Sequence, residues 1–375
     1  MLFNYRNFGR LWRVYGRSVL RCSTPKKVIN ALRTEWAYRR RAIDVRTPPY
    51  VLFVEPLYYC NLRCPLCPRE TSPLARKGGK GSGPDEAGRL PLEVFDQLLE
   101  EIGDYLYQCQ IFGLGEPLLD WPRTQEIVRR CRRRRIFTLL STNSTVITAD
   151  MARELAATGP DYLIFAIDGV SQEAYEKYRR GGRVELAMAG MRMVVDQVRR
   201  RGGRGPALEW QYLVNRFNLH ELDQARRIAA ELGVFLRVVP MRAGVEKEGQ
   251  DFWLADDPRW HEDNIPLPRP WRDFHCYWLW RGMVLNSNGQ LGRCPGFAHV
   301  AQLGDVRDQS IMSLYNGPQS QRARQLYTRG PVPEGDFPWP CTDCPQFDRH
   351  HGNEGADIRL TAPASSRALP VLRRL

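Results

Sequence analysis

Short apolar runs alternate with longer segments of helical periodicity between residues 50 and 240. Each run predicts a buried strand, and each periodic segment predicts a helix that packs on the sheet. The predicted strands are Val51–Glu55, Gln110–Gly113, Phe137–Ser141, Tyr162–Asp168, Leu208–Val214 and Phe235–Val239. The predicted helices are Leu92–Ile102, Arg123–Cys131, Ala149–Ala157, Val184–Arg200 and Leu219–Leu232. Because such repeats form parallel sheets with helices outside, we predict an α/β fold, a partial (β/α)6 TIM-like barrel.

The alternation ends after the sixth unit, where several prolines and tryptophans predict a linker or lid. Farther on, Met283–Leu285 and Leu291–Arg293 flank an Asn- and Gly-rich turn and predict a hairpin, which a helix at Ile311–Tyr327 follows. We therefore expect a small C-terminal subdomain made of a hairpin and a helix. The predicted divisions are an arm at 1–49, the barrel at 50–240, a linker or lid at 241–275, the subdomain at 276–347 and a tail at 348–375.

The N-terminal arm has the pattern of two amphipathic helices. Its twelve Lys or Arg residues stand against two acidic ones, so most of the net charge of +13 lies in this segment. Such helices can lie on an anionic membrane surface; alternatively, both apolar stripes pack on the domain and leave the arginines in water. Nucleic-acid binding is less favoured, because no other segment forms a basic track. The stripes are Phe8, Leu11, Trp12, Tyr15 and Val19 in one helix and Val28, Ile29, Leu32 and Trp36 in the other.

The composition is that of a globular protein, with 43% apolar residues and no apolar run long enough to span a membrane. Arginines interrupt the first apolar runs, which excludes a secretory signal. Seven of the ten cysteines form two spaced groups, which indicates metal or cluster ligation in a reducing compartment. We expect a cytoplasmic protein, with a peripheral position at the inner membrane face as an alternative. Cys22, Cys109 and Cys131 stand outside both groups and predict inert thiols.

The first cysteine group, Cys60, Cys64 and Cys67, directly follows the first predicted strand. Its spacing lets three thiolates converge on one metal centre. Three ligands leave a position open for a small molecule, which is typical of a reactive centre rather than a structural one. From the spacing alone, a cubane iron–sulfur cluster and a zinc ion with a fourth ligand from elsewhere both remain open.

The second group contains four cysteines, Cys276, Cys294, Cys341 and Cys344. The first two enclose the predicted hairpin, and the last two form a tight Cys-x2-Cys chelate. Four thiolates complete a tetrahedral or cubane shell with no open position, so structural zinc and an iron–sulfur cluster are equally compatible with this spacing.

The first group resembles the signature of radical S-adenosylmethionine enzymes, which is Cys-x3-Cys-x2-Cys after the first barrel strand. The resemblance implies a 4Fe-4S cluster on those three cysteines, with S-adenosylmethionine chelated by the remaining iron. It also implies cofactor contacts at Gly113, Gly115 and Glu116, since the run Gly113-Leu-Gly115-Glu116-Pro is similar to the Gly-Gly-Glu motif of the family. Glycine there permits close approach of the backbone to a ligand.

The resemblance continues at the ends of later strands. It implies ribose contacts at Ser141 and Asn143, for which a helix cap is the alternative, and a cofactor contact at Asp168. Arg179 stands where the family places an arginine on the carboxylate of the cofactor, and Arg180 competes for that role.

Two departures or ambiguities accompany this comparison. Ala166 stands where peptide-modifying members usually carry serine. Asn218 and Glu221 also match the family pattern, but their spacing is equally that of a helix capping box.

The second group is similar to the SPASM extension of the family in its truncated twitch form. That similarity implies one auxiliary 4Fe-4S cluster with four cysteine ligands, which can move electrons but cannot chelate substrate.

Together these resemblances imply a radical S-adenosylmethionine oxidoreductase. It would abstract a substrate hydrogen through a 5′-deoxyadenosyl radical and complete a two-electron oxidation, a dehydrogenation or a bond formation, through the auxiliary cluster. The expected substrate is a small molecule such as a sugar or aminocyclitol, and the alternative is a peptide or protein, as for a maturase. A reductant such as flavodoxin or ferredoxin is the expected protein partner. A non-catalytic zinc protein associated with nucleic acid is the alternative of another class.

Overall fold

The computed structural model describes residues 17–71, 88–241, 247–261, 276–296, 299, 302–329, 341 and 344. Most of the first predicted helix of the arm and the predicted tail lie outside these residues. None of the described helices combines the length and the apolar character needed to cross a bilayer.

A nine-stranded sheet forms the centre of the molecule, in the order β6-β5-β4-β3-β2-β1-β7-β8-β9. Strands β1 to β7 pair parallel along it, and β8 and β9 pair antiparallel. The prediction of a six-stranded parallel partial barrel is therefore confirmed. The strands are β1 (Val51–Val54), β2 (Gln108–Ile111), β3 (Phe137–Thr142), β4 (Tyr162–Ala166), β5 (Ala207–Val214), β6 (Phe235–Pro240), β7 (Gly282–Leu285), β8 (Gln290–Gly292) and β9 (Gln302–Asp305).

Helices cover the outer face of the sheet, and two of them, Leu92–Ile102 and Val184–Arg200, have the predicted bounds. The described helices are α1 (Arg17–Cys22), α2 (Pro25–Arg39), α3 (Pro68–Thr71), α4 (Leu92–Ile102), α5 (Trp121–Arg133), α6 (Ala149–Thr158), α7 (Gln172–Tyr178), α8 (Val184–Arg200), α9 (Leu222–Leu232), α10 (Lys247–Trp253), α11 (Tyr277–Arg281), α12 (Ile311–Tyr315) and α13 (Pro318–Arg329). Short 3-10 helices stand at Pro117–Asp120, Leu219–Glu221 and Pro258–Trp260.

Both faces of the central strands β1, β3 and β4 are almost entirely buried, which explains why their sequences are runs of apolar residues rather than alternating patterns. Leu52 and Val54 of β1 pack in the large core under the helices. Phe53, between them, faces the inner side of the barrel and contacts Val284 of β7 there. Side chains on this inner face are the ones that can line a reaction space.

The C-terminal hairpin continues the barrel sheet instead of forming a separate layer. Strand β7 pairs parallel with β1, in the register Val51↔Gly282, and then turns into β8. Gly289 occupies the left-handed backbone region in this turn, as the predicted turn requires. The second cysteine group is thereby attached to the strand that pairs with the one preceding the first group.

Some elements differ from the predictions. The helix predicted at Ile311–Tyr327 is two helices, α12 and α13, separated at Gly317. Strand β9 and helix α7 were not predicted. The predicted linker contains the short helix α10, because Phe252 and Trp253 pack against Phe217 and form a local apolar cluster.

The described part of the arm lies at the amino-terminal ends of the strands. Cys22 is buried beside Phe137 and Ile164 on the inner face of the barrel, and all three isolated cysteines are buried, as expected for inert thiols. Helix α2 turns its polar side to the domain, so the alternative that its apolar stripe packs on the domain is wrong. That stripe is exposed at Val28, Ile29, Leu32 and Trp36.

Candidate functional site

The loop after β1 carries the first cysteine group at the carboxyl edge of the parallel sheet, where ligands of such folds bind. Cys64 is buried, and Cys60 and Cys67 are partly buried. The loop folds on itself: the backbone N–H of Cys67 donates to the carbonyl of Cys64 at 3.0 Å, and the N–H of Leu62 points to Sγ of Cys60 at 3.4 Å. Arg69 holds the loop by donating to the carbonyl of Leu62 at 2.6 Å.

The three thiols of this loop are close enough to influence one another. Burial raises the pKa of Cys60 to about 12, and it also raises the pKa values of Cys64 and Cys67. A charge on Cys64 raises the pKa of each neighbour further. Three buried thiols of this kind favour a metal centre whose positive charge stabilises all three thiolates at once. The sulfur atoms are soft donors, which fit an iron–sulfur cluster.

The glycine-rich run after β2 packs directly on this loop. A Cβ on Gly115 would lie 1.8 Å from the carbonyl oxygen of Leu57, and a Cβ on Gly113 would lie 2.6 Å from the side chain of Glu55. The N–H of Glu116 donates to the carbonyl of Tyr59, the residue before Cys60, at 2.8 Å. The two glycines are therefore needed for the approach of this strand end to the cysteine loop.

Glu116 ties the end of β3 to the same place. Its buried carboxylate accepts from Oγ1 of Thr142 and from the N–H of Asn143, both at 2.7 Å, and from the N–H of Leu118 at 3.1 Å. Burial raises the pKa of this carboxyl, although the three donors oppose the shift. Thr142, which no sequence motif indicates, completes this hydrogen-bond network and thus belongs to the candidate site.

Asn143 reaches the first cysteine loop. Its amide nitrogen donates to Oδ1 of Asn61 at 2.9 Å and lies 3.9 Å from Sγ of Cys60. Its Oδ1 accepts from the N–H and the hydroxyl of Thr145, so the orientation of the amide is fixed from both ends. Ser141 lies two residues earlier on the inner side of β3, and its hydroxyl has no hydrogen-bond partner within the described residues.

Asp168 and Arg179 form a buried ion pair beside Cys64. Nε of Arg179 donates to Oδ2 of Asp168 at 2.6 Å, and Nη1 lies 3.8 Å from Sγ of Cys64. Asp168 also accepts from the N–H of Leu213 at 2.7 Å. Burial alone would lower the pKa of Arg179, but the charge of Asp168 holds it well above the ordinary value. Arg180 is exposed, so the structure favours Arg179 of the two predicted candidates.

Asn218 and Glu221 do not form the capping box that their spacing suggested, because neither side chain caps the helix that follows. Both instead hold the loop after β4. Glu221 accepts from the N–H groups of Val170 and Ser171 at 2.7 and 3.1 Å, and Asn218 donates to the carbonyl of Asp168 at 3.0 Å. These two residues position Asp168 and through it Arg179.

Glu55 and His299 form a second buried pair, which the sequence did not reveal. Nε2 of His299 lies 3.1 Å from the carboxylate of Glu55, which also accepts from the N–H of Leu114 at 2.7 Å and from the hydroxyl of Ser287 at 3.0 Å. Burial would lower the pKa of His299, but the charge and hydrogen bond of Glu55 raise it. The pair joins β1, the glycine-rich run and the hairpin at one point.

The four cysteines of the second group lie close enough to one another for their charges to interact. Burial raises the pKa of Cys276 well above its ordinary value, and the charges of the other three cysteines raise it further. Burial likewise raises the pKa of Cys341 to about 12, and nearby Arg293 opposes that shift. Within the described residues, no three His, Cys, Asp or Glu side chains are arranged around a single metal ion.

A polar group on the inner face of β5 and β6 completes the lining of the barrel. Nε of Arg237 donates to the buried carboxylate of Glu209 at 2.5 Å, and Nη2 donates to Oε1 of Gln211. Arg237 pairs in register with Gln211, which pairs with Ala166 of β4. About a third of its side chain is exposed (30%), so Arg237 is not fully enclosed by these partners.

Two family sequence models match the chain. The model described as "Radical SAM superfamily" matches residues 54–203, and the SPASM model, described as "Iron-sulfur cluster-binding domain", matches residues 276–345. The first match contains the three cysteines of the first group, and the second contains all four of the other group.

Curated proteins of this kind are similar to the chain. It is 27% identical over 186 residues to the tungsten-containing aldehyde ferredoxin oxidoreductase cofactor-modifying protein of Pyrococcus furiosus, with 49% of each chain covered. It is 26% identical over 214 residues to the mycofactocin maturase MftC of Mycobacterium tuberculosis, covering 56% of this chain and 49% of that protein. The chain spans about half the length of these curated relatives.

Among solved structures, SuiB of Streptococcus suis bound to S-adenosylmethionine has the same fold. The TM-score is 0.59 at 14% identity, over 84% of this chain and 75% of SuiB. At this identity the similarity establishes the fold alone.

Proposed function

Because this chain is a radical S-adenosylmethionine enzyme with a C-terminal SPASM subdomain, we propose that it catalyses the two-electron oxidation of an organic substrate. Its cofactors are S-adenosylmethionine, a 4Fe-4S cluster that binds it and an auxiliary iron–sulfur centre in the SPASM subdomain. We assign the first cluster to Cys60, Cys64 and Cys67 and one auxiliary 4Fe-4S cluster to Cys276, Cys294, Cys341 and Cys344. This assignment of the family removes the alternative of a non-catalytic zinc protein.

The single observation that carries the proposal is that one group of three cysteines follows β1 and a second group of four lies around the hairpin that begins with β7, the strand that pairs with β1. When bound, the first cluster with S-adenosylmethionine supplies a 5′-deoxyadenosyl radical on one-electron reduction, and the auxiliary cluster supplies an electron acceptor. A hydrogen atom and an electron leave the substrate in this scheme, and a proton goes to solvent or to a protein base. The net result is a double bond or a new bond to a neighbouring heteroatom.

In this proposal, three side chains bind the cofactor or orient the cysteine loop beside it. Arg179, which Asp168 aligns beside Cys64, would receive the carboxylate of S-adenosylmethionine. The hydroxyl of Ser141 is available for a ribose hydroxyl on the same inner face. Asn143 is fixed by its neighbours, so it orients the cysteine loop whether or not it also contacts the cofactor.

We propose that the substrate is a small molecule with an anionic group, such as a carboxylate, which Arg237 receives. Its guanidinium is already held in place by Glu209 and Gln211, so binding an anion would cost little side-chain entropy. Helices α1 and α2 make up the described part of the arm, which offers no strand edge on which an extended peptide could add.

A peptide substrate is the second candidate, because one of the similar proteins is named a maturase. Both candidates can be tested with the same purified enzyme. The enzyme is incubated separately with the small-molecule fraction and with the peptide fraction of a host extract. In one of the two mixtures, a product that is lighter than its precursor by two hydrogens should appear. The fraction in which it appears assigns the substrate class.

The radical activity is tested by anaerobic reconstitution followed by strong reduction with S-adenosylmethionine. The wild-type chain should bind about eight iron and eight sulfide ions and should release 5′-deoxyadenosine. Cys64→Ala should release none. Arg237→Gln should keep this cleavage but lose oxidation of substrate, and Arg237→Lys should retain part of it with a raised KM. Wild-type cleavage by Cys64→Ala would overturn the proposal.

A further inference from the structure

We propose that helix α2 docks the enzyme on an anionic lipid surface, through the end of the barrel opposite to the cysteine loop. Seven large apolar side chains are exposed in the described part of the chain, and five of them lie between Leu20 and Trp36. Leu20 is 80% exposed, Leu32 66% and Trp36 61%. A patch of this kind is uncommon on a protein surface that faces only water.

The orientation of α2 is fixed by its polar side, which is the reverse of an ordinary surface helix. Nζ of Lys27 donates to the carbonyls of Arg134 and Arg135, both at 2.8 Å. Asn30 donates to the carbonyl of Pro48 at 3.0 Å, and Thr34 donates to Thr47 at 2.9 Å. Lys27, Asn30 and Thr34 are buried, so the helix cannot roll its apolar stripe inward without losing these bonds.

The contacts of α2 also locate the surface. Pro48 precedes β1, Asp104 precedes β2 and bonds to Lys26, and Arg134 and Arg135 precede β3. All lie at the amino-terminal ends of the strands, whereas the cysteine loop follows the carboxyl end of β1. Strands of four to six residues separate the two ends by roughly 13–20 Å. A lipid surface bound at α2 would therefore leave the mouth of the barrel open to the aqueous side.

The charges around the stripe favour anionic lipid over other occupants. Exposed cations flank it at Arg33, Arg39, Arg40 and Arg41, and the guanidinium of Arg40 lies 5.5 Å from the ring of Trp36. Exposed Arg132, Arg133 and Arg135, at the end of α5 that Lys27 contacts, extend the same positive surface. Cations around an apolar and aromatic stripe match the boundary between headgroups and acyl chains.

Two other possible occupants of the apolar stripe are disfavoured, because each would bring its own positive charges against the arginines around the stripe. A second copy of the chain, docked through the same face, would oppose these arginines with their equivalents. Residues 1–16 of the arm contain Arg6, Arg10 and Arg13 and no acidic residue, so they are also poorly matched to the rim.

The test is flotation of the full-length, anaerobically reconstituted protein with vesicles. We expect flotation with vesicles made of equal parts of phosphatidylglycerol and phosphatidylcholine, little with phosphatidylcholine alone, and a decrease in high salt. Leu32→Ser with Trp36→Ser should weaken binding at least about tenfold. Arg39→Gln, Arg40→Gln and Arg41→Gln together should weaken it about as much. The matched control is Leu186→Ser, which removes a similarly exposed leucine on α8 and should change nothing.

Iron content and release of 5′-deoxyadenosine should stay at wild-type values in all these variants, which separates this proposal from the proposed reaction. Flotation that is unaffected by Leu32→Ser with Trp36→Ser would overturn the proposal. So would light scattering that finds a dimer in the wild type and a monomer in this variant, because a second copy would then cover the stripe. Loss of flotation on deletion of residues 2–16, with the stripe variant still floating, would assign binding to residues 2–16 instead of α2 and would also overturn the proposal.

Discussion

Arg179 depends on one carboxylate for its position, and this dependence can be measured. Asp168→Asn removes the negative partner of Arg179 while keeping the shape of the side chain. The loss of a buried, charge-assisted hydrogen bond typically amounts to about 1.5–3 kcal/mol. We therefore expect affinity for S-adenosylmethionine to fall by about tenfold or more, as measured by equilibrium binding to the reconstituted enzyme.

The control for this substitution is Arg180→Gln, because Arg180 is the adjacent exposed arginine. It should leave binding of S-adenosylmethionine unchanged. Equal losses in both variants would mean that general positive charge, and not the Asp168–Arg179 pair, holds the cofactor.

Gly115 is a second position at which a small change, the addition of one carbon atom, should disturb the cysteine loop. Gly115→Ala would place a methyl group 1.8 Å from the carbonyl of Leu57, so the cysteine loop must shift. We expect a loss of about 1–3 kcal/mol in the free energy of unfolding and poor iron uptake at the first site. Chemical denaturation and iron analysis measure both effects. Gly296→Ala, where a Cβ meets nothing within 4 Å, is the matched control and should behave like the wild type.

At the residue level, the sequence predicted the site best where a motif has a fixed spacing. The spacing of the seven cysteines predicts two groups, and the charges of neighbouring thiols do interact within each group; the assignment of each group to a cluster stays a prediction. The roles of Asn218 and Glu221 could not be predicted, since a capping box and a clamp on a distant loop need the same two residues. The pairing of Glu55 with His299 joins residues that are 244 positions apart, and no local sequence pattern predicts it.

The junction between the barrel and the hairpin depends on that pair. In the folded protein, the charge of Glu55 holds the pKa of His299 above its ordinary value. The stabilising effect of His299 is therefore fully present below about pH 6.5, the pKa of an unperturbed histidine, and is lost as the pH rises through the folded pKa. We expect the difference in unfolding free energy between wild type and His299→Gln to shrink as the pH rises from about 6 to about 9.

Urea unfolding of the two proteins across this pH range measures the difference. Ser287→Ala is a useful comparison, because it removes another bond to Glu55 but no titrating group. Its destabilisation should not depend on pH in the same window. A difference for His299→Gln that grows with pH would contradict the assignment of the ion pair.

At the element level, the strands and the long helices could be predicted from the spacing of apolar residues, because both kinds of element bury apolar side chains in the barrel core. The exposed face of α2 could not be decided in the same way. Its periodicity gives a stripe, but periodicity does not say whether the stripe faces the protein. The orientation of the stripe is fixed by hydrogen bonds from Lys27, Asn30 and Thr34 to residues outside the helix. No sequence pattern predicts such bonds. The same limit applies to β7, whose parallel pairing with β1 depends on tertiary contacts.

At the level of the whole molecule, the two cysteine groups lie next to paired strands of one sheet, β1 and β7. If each group holds its own cluster, as we propose, the two clusters should be separable in function. Cys344→Ala removes one of the four proposed ligands of the auxiliary cluster and leaves the first cysteine loop untouched. We expect bound iron to fall from about eight to about four per chain, with release of 5′-deoxyadenosine preserved. Oxidised product should be lost, because the electron from the substrate would have no acceptor.

This variant distinguishes a redox role of the second set from a structural one. A structural role predicts that Cys344→Ala also loses stability and releases less 5′-deoxyadenosine, in proportion to the unfolded fraction. A redox role predicts a folded enzyme that still releases 5′-deoxyadenosine without forming product. Wild-type yields of oxidised product from a Cys344→Ala enzyme with half the iron would contradict the redox role, because the oxidising electron acceptor would then lie elsewhere.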